Sequence, residues 1–242
     1  MFILPNSYFK IKTAKNKGRG VFTLKEIEPG AVIGDYLGRV VSDEESDIFE
    51  DKHGFYAMDF TNGLCIIPDL SSPGVHLINN SCSPNCDAIP YKEHVIYYAL
   101  RRIFRGEELT ISYFLDPLDK EDEQVYPCYC GSPLCHGTMY VSKERAEKRD
   151  SFLDKFHSNR NEMKIGQGED LLPLKKYPKQ VRDYMEFDIF GCWRKKPYLC
   201  SDKVLPGKKE LRKRIRESGR CLDFKNLNIR IYGIMNGLII SY

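Results

Sequence analysis

Three cysteines, Cys128, Cys130 and Cys135, stand in a C-x-C-x4-C spacing within "CYCGSPLC". Thiolates gathered this tightly are soft ligands, and a structural zinc site closes with four sulfur or nitrogen donors in a tetrahedron. The next cysteine downstream, Cys192, is too far along the chain to join the same local knot, so a fourth donor has to come from elsewhere in the fold. A second polar corner lies upstream in "HLINNSCSPNC", residues 76–86. There Ser81, Ser83, Pro84 and Asn85 predict a tight turn whose side chains bond their own backbone, which would hold Cys82 rigidly. Glu107 and Glu108 are the right residue types for paired acid–base work, but adjacent strand residues face opposite ways, so they read as structural.

These groups need elements to position them. Between residues 8 and 113 the chain reads as short strands, "YFKIKT", "GVFTL", "AVIGDYLG", "FYAMDF", "LCIIP", "HVIYYALR" and "ELTISY", separated by glycine and proline turn signals. Among them "SDEESDIFED" predicts one helix of two turns, with Ser42 as N-cap and Glu45 closing a capping box. The acidic "DPLDKEDEQVYP" predicts a connector into the cysteine cluster. Beyond it the pattern changes. "SKERAEKRDSFLDKFH" sets Phe152, Leu153 and Phe156 at helical spacing, "PKQVRDYMEFDIF" opens with a proline suited to a first helical turn, and "GKKELRKRIRESG" ends at Gly219, which together predict three helices. Asn236-Gly237 between two apolar runs is a hairpin signal.

A chain of 242 residues can bury a full core, and 42% hydrophobic with 29% charged residues is ordinary for a soluble globular protein. The apolar run at the start stops at Pro5, and no span approaches the roughly 18 residues of a membrane helix. The expectation is a soluble intracellular monomer without membrane contact. Nine cysteines, three of them in eight positions, favour metal thiolates in a reducing compartment over a disulfide framework. Charge is unevenly spread: residues 1–142 hold 13 Lys+Arg against 20 Asp+Glu, and residues 143–242 hold 24 against 14. That contrast predicts two functional regions.

"KNKGRGVF" (15–22), "GDYLGRVVSDEE" (34–45), "HLINNSCSPNC" (76–86) and "RRIFRGEELTISY" (101–113) follow one another in an order that resembles the SET domain family of protein lysine methyltransferases. The cysteine cluster then takes the place of that family's post-SET motif, and the expectation is a SET domain without a pre-SET region. The resemblance covers about residues 8–140. It implies an α+β, β-rich fold: a SET-type arrangement of several small sheets with a pseudoknot, a zinc-binding post-SET segment and, after it, a mostly helical C-terminal lobe. The expected division is 1–118 SET domain, 119–142 acidic connector and post-SET zinc motif, and 143–242 basic region.

Carried over residue by residue, the resemblance implies one structural zinc held by Cys82, Cys128, Cys130 and Cys135, with Cys86 and His136 as rival ligands. It implies S-adenosylmethionine as cofactor, bound by Lys17, Gly18, Arg19, Gly20, Tyr36, His76, Asn79 and Asn80, and Tyr113 and Tyr36 as the active-site tyrosines. Two positions depart from the family. Asn80 stands where it carries histidine, and His76 where arginine is usual, which predicts weakened or rearranged cofactor binding. Related enzymes often carry tyrosine or phenylalanine two residues before the catalytic tyrosine. Ile111 stands there instead and implies a product beyond monomethyl-lysine.

The partner so implied is a protein with an exposed lysine, histone tails or a nucleosome first, in the cytoplasm or nucleus, or in a host cell nucleus for a pathogen or viral protein. The basic stretch 208–216 is the candidate nucleic-acid contact, since Leu211 and Ile215 leave the other face of a helix cationic. The rival reading is a catalytically degenerate SET-fold module that binds peptide or nucleic acid.

Overall fold

The computed structural model describes residues 1–61, 63–115, 126–132, 135, 137–141, 143, 146–147, 165–181, 231–232 and 239–240. Small sheets dominate. An antiparallel hairpin joins β1 (Phe9–Ala14) to β2 (Gly18–Thr23), and alternation along β1 sends Phe9 inward and Lys10 outward. A three-stranded sheet places β9 (His94–Ala99) between β3 (Val32–Asp35) and β8 (Cys86–Tyr91). All six residues of β9 are buried, as an apolar run in a central strand requires. A second such sheet runs β4 (Arg39–Ser42), β6 (Leu64–Ile67), β5 (Met58–Thr61).

Between β4 and β5 lies the helix α1 (Asp43–His53). The capping box forms as the sequence predicts: Glu45 N donates to Ser42 Oγ at 3.3 Å and Ser42 N to the Glu45 carboxylate at 3.2 Å. At 11 residues the helix is a turn longer than expected. Strands β4 and β8 fall outside the segments read as strands.

A short parallel pair closes the centre. In it β7 (Asn79–Asn80) pairs with β10 (Thr110–Ile111), Asn80 opposite Ile111. Ser81 N then donates to Ile111 O at 2.8 Å, and the Asn85 side chain holds the start of β10, accepting from Thr110 N and donating to Glu108 O, each at 2.8 Å. Two motifs far apart in sequence are thereby clasped side by side.

Residues 165–181 contain no helix and run as a strap along β3 and β4. Val40 N donates to Glu169 O, Leu171 N to Gly38 O, and Val181 N to Gly30 O, at 2.8 to 2.9 Å. Leu171 and Val181 are buried, and Leu171 belongs to the main core with Ile33, Val40 and Ile66. A boundary at residue 143 therefore does not part core from appendage along this strap. The helix expected to open at Pro178 does not do so over 178–181, where Gln180 instead bridges to Ala31. Tyr177 pins the strap: its hydroxyl donates to Asp35 Oδ2 at 2.6 Å, the same oxygen that accepts from His94 Nδ1 at 2.6 Å. Burial, then this bond to the carboxylate, raises the Tyr177 pKa, so the hydroxyl stays a donor.

The helices expected over 142–157 and 207–219, and the connector 116–127, lie almost wholly outside the described residues. A two-residue antiparallel pair, β11 (Ile231–Tyr232) with β12 (Ile239–Ile240), brackets Asn236-Gly237 as the hairpin signal predicts. Among the described residues no helix is long and apolar enough to cross a membrane.

Candidate active site and metal centre

Cys82, Cys128, Cys130 and Cys135 meet. Their sulfur atoms all lie within 4.8 Å of one another, with Cys82 Sγ 3.6 Å from Cys128 Sγ and 3.9 Å from Cys135 Sγ. A tetrahedron with zinc–sulfur bonds of about 2.3 Å has edges of about 3.8 Å. The donor set and its spacing thus fit zinc. Hydrogen bonds from neighbouring thiols, Cys128 first, lower the Cys135 pKa to about 7. They lower Cys130 further, while Cys82 and Cys128 are raised as the donors. Outer groups support the sulfurs: Ser132 N donates to Cys130 Sγ and Gly137 N to Cys135 Sγ, both at 3.4 Å, and Asn80 Nδ2 donates to Cys128 Sγ at 3.3 Å. Cys86 is not part of this group. It is buried in the main core and donates to Asn85 Oδ1 at 3.4 Å. His136 lies outside the described residues.

A cleft of about 880 Å³ opens between α1 and the central clasp. Tyr36, Tyr97 and Tyr113 line it with Ile78 and Ile111. Tyr113 stands two residues after the end of β10. Its backbone N donates to Asn80 Oδ1 at 2.9 Å and its hydroxyl to Ile78 O at 3.3 Å. Tyr36 follows β3, donates its hydroxyl to the Tyr56 carbonyl and stacks on Tyr97 at 6.0 Å. Burial raises the pKa of all three tyrosines, so they are neutral donors at any working pH. Phe114, next in line, takes φ +54°, a costly conformation for a bulky residue, and lines the cleft together with Leu115.

The expected cofactor residues divide into two places. Tyr36 and His76 line the cleft. Lys17, Arg19, Gly20 and Asn79 gather at a corner between β2 and β7, joined by Glu108. Glu108 accepts from Lys17 Nζ at 2.7 Å and from Asn79 Nδ2 at 3.0 Å, and Asn79 Nδ2 also donates to Arg19 O at 3.0 Å. Gly20 permits this closeness: a Cβ there would sit 2.8 Å from Asn79 Nδ2 and 2.9 Å from Glu108 Oε1. Lys17 is thus ion-paired with Glu108. Both ends of the Asn80 amide are engaged too, by Cys128 and Tyr113. Gly18 stands at the head of β2 with open space around it.

His76 is 91% buried, counted from its 9% exposure, packs edge-on to Tyr56 and, among the described residues, has no hydrogen-bond partner at Nε2. An orphaned ring nitrogen beside the cleft is the kind of group a polar ligand satisfies. Desolvation, then the amino terminus and Arg19, lowers its pKa to about 4. The folded state therefore holds His76 neutral, and the unfolded chain, with an ordinary pKa of about 6.5, takes up the proton first. That contribution to stability is complete above about pH 6.5 and falls away down to about pH 4, by about 3 kcal/mol. His76→Phe should lose that slope, which urea midpoints measured across this window for both proteins will read.

Sequence reasoning gave Glu108 a structural role, in keeping with its bonds to Lys17 and Asn79, but it missed the acidic wall of the cleft. Asp43, Asp47 and Glu50 line it from α1, and Asp59 from β5. Their signal was present: positions 43, 47 and 50 share one helical face by the i, i+4, i+7 rule. Burial, with Asp59 and Asp47 adding repulsion, raises the Glu50 pKa although Ala57 N donates to it at 3.0 Å.

The SET domain family matches residues 18–114. Histone-lysine N-methyltransferase trithorax of Drosophila virilis is 34% identical over 128 residues, 49% of this chain and 3% of that protein. Histone-lysine N-methyltransferase TRX1 of Oryza sativa subsp. japonica is 33% identical over 157 residues, 60% of this chain and 14% of that protein. The chain thus spans a small part of the length of the relatives it matches. Among solved structures, Arabidopsis thaliana SUVH6 in complex with SAM is 29% identical with a TM-score of 0.45, over 55% of this chain and 33% of that one. Residues 18–114 of this chain are a SET domain, similar in sequence to those of histone-lysine N-methyltransferases.

Proposed function

We propose that this chain is an S-adenosylmethionine-dependent protein-lysine N-methyltransferase whose substrates are basic protein segments, histone tails first among them. The observation that carries the reading is the cleft, apolar and tyrosine-lined at one side and acidic at the other. A lysine side chain needs both. Its ammonium, with an ordinary pKa of about 10.4, is attracted by Asp43, Asp47, Glu50 and Asp59, then loses its proton more readily among Ile78, Ile111 and the tyrosine rings.

The cofactor, when bound, supplies a methyl group on a positively charged sulfur. Tyr36, His76, Asn79, Gly20 and the neighbouring turn are the residues that would hold it, with Asn80 shaping the site through its backbone. Tyr113, a neutral hydroxyl held at its backbone by Asn80, is no base. Its work is to orient the amine, the entropy contribution of fixing two reactants in line. One zinc on Cys82, Cys128, Cys130 and Cys135 would fasten residues 126–141 beside Tyr113, and a chromatin substrate would put the protein in the nucleus. Residues 208–216, the proposed nucleic-acid contact, lie outside the described residues.

Incubation with labelled cofactor and purified histones tests this reading, with titration calorimetry for cofactor binding. Label on lysine is the expected result. Neither binding nor label would leave a peptide-binding module. Product number turns on Ile111, a buried lining residue without a hydroxyl to fix the amine. Mass spectrometry at long incubation should show di- or trimethyl-lysine, and Ile111→Tyr should shift the product towards monomethyl-lysine.

A further inference from the structure

Asn80 occupies an unusual position between the two centres. Its side chain is buried, and its planar amide spans the gap between the cysteine tetrad and the backbone of Tyr113. The partners fix which end is which: the Tyr113 backbone N–H can only donate, so the amide oxygen faces it and the amide nitrogen faces sulfur. Because the amide is rigid, fixing one end fixes the other. Cys130 and Cys135 receive their N–H bonds from backbone two residues further along, whereas Cys128 receives one from a side chain of a different strand, 48 positions away.

We propose that Asn80 is a positioning residue that couples the four-cysteine metal centre to Tyr113, holding the Cys128 sulfur with one end of its amide and the Tyr113 backbone with the other. The inference rests on the reading of the cysteine tetrad as a metal site and needs no methyl transfer to be tested. A metal-bound thiolate keeps Cys128 in place as a strong acceptor, which locks the amide. Release of the metal frees the sulfur, the amide nitrogen loses its partner, and the oxygen no longer has a fixed direction towards Tyr113. The segment 111–113 then loosens although nothing in it touches metal.

Two variants separate the ends. Asn80→Asp keeps an acceptor for Tyr113 and replaces the donor to sulfur with an anion. Asn80→Leu, of similar shape, removes both. The full chain is loaded with zinc or cobalt, and metal release to a chromogenic chelator is followed alongside peptide-level hydrogen exchange over residues 108–115. Release should be about 10- to 100-fold faster in both variants, the usual effect of losing an outer-shell partner. The thiolate-to-cobalt absorption should also shift in both. Exchange of the Tyr113 amide should stay slow in metal-loaded Asn80→Asp, become at least about tenfold faster in Asn80→Leu, and do the same in wild type once the metal is stripped. Wild-type release rates in Asn80→Asp would overturn the coupling, as would unchanged Tyr113 exchange in the stripped wild type. A wild-type chain that takes up no cobalt would overturn it together with the metal reading. Metal uptake without methylation of any substrate would leave the coupling standing and remove only the enzymatic reading.

Discussion

Tyr113→Phe is expected to lower kcat by about 10²-fold or more while leaving cofactor affinity and stability nearly unchanged. The substitution removes one oxygen. The ring keeps its place on the cleft wall, and the backbone bond from Tyr113 N to Asn80 Oδ1 does not involve the side chain. The lost bond to Ile78 O is long, at 3.3 Å, so its removal should cost no more than about 1 kcal/mol of stability. A loss of turnover this large with an unshifted melting curve would therefore be a loss of orientation at the reacting amine. Single-turnover kinetics with a histone substrate, beside calorimetry for the cofactor, separate the two. Activity within about threefold of wild type would remove Tyr113 from the reaction.

The second large effect concerns Cys82. Cys82→Ser should abolish stoichiometric zinc, since structural zinc sites hold the metal with about 10–16 kcal/mol that depends on the complete ligand set. The main core should survive, because the cysteine group forms its own cluster with Met139, separate from the cluster built on Ile33, Tyr36, Ile66 and Tyr97. The expected outcome is a folded protein with residues 126–141 undocked and methylation reduced by at least about tenfold. Elemental analysis of protein purified without chelator reads the metal, and limited proteolysis reads the segment. Cys86→Ser is the control and should keep its zinc, as Cys86 lies in the main core away from the tetrad. Zinc retained in Cys82→Ser and lost in Cys86→Ser would transfer the fourth ligand to Cys86.

The sequence by itself determined what short-range chemistry decides. The capping box of α1 closes between residues three apart, so Ser42 and Glu45 announce it without knowledge of the fold. The turn at 81–85, where Ser83 N donates to Ser81 Oγ at 3.1 Å, is of the same kind. The chemistry of Cys128, Cys130 and Cys135 was also legible, because three thiols in eight positions need a partner wherever the chain goes. Strand β8 was not. "CDAIPY" contains aspartate and proline, both poor strand formers, and it is a strand because it pairs at a sheet edge with the wholly buried β9, where Pro90 is tolerated.

Other features exist only in the tertiary structure. Leu171 and Val181 sit in sequence among prolines and lysines, and become core residues because backbone bonds lay residues 165–181 along β3 and β4. Asp35 stands in the sequence only as a polar residue inside the strand segment "AVIGDYLG", yet it is wholly buried, with Tyr177 and His94 converging on one of its oxygens from 142 and 59 positions away. Cys82 joined the tetrad in the sequence reading through family resemblance alone. Its sulfur spacing, and the reach of Asn80 to both Cys128 and Tyr113, follow from the clasp of β7 with β10. The division has one physical cause. A contact within a few residues is fixed by local geometry whatever surrounds it. A contact across 50 or 140 residues exists only once the whole chain has paid its loop-closure entropy and packed, and no short window of sequence carries that information.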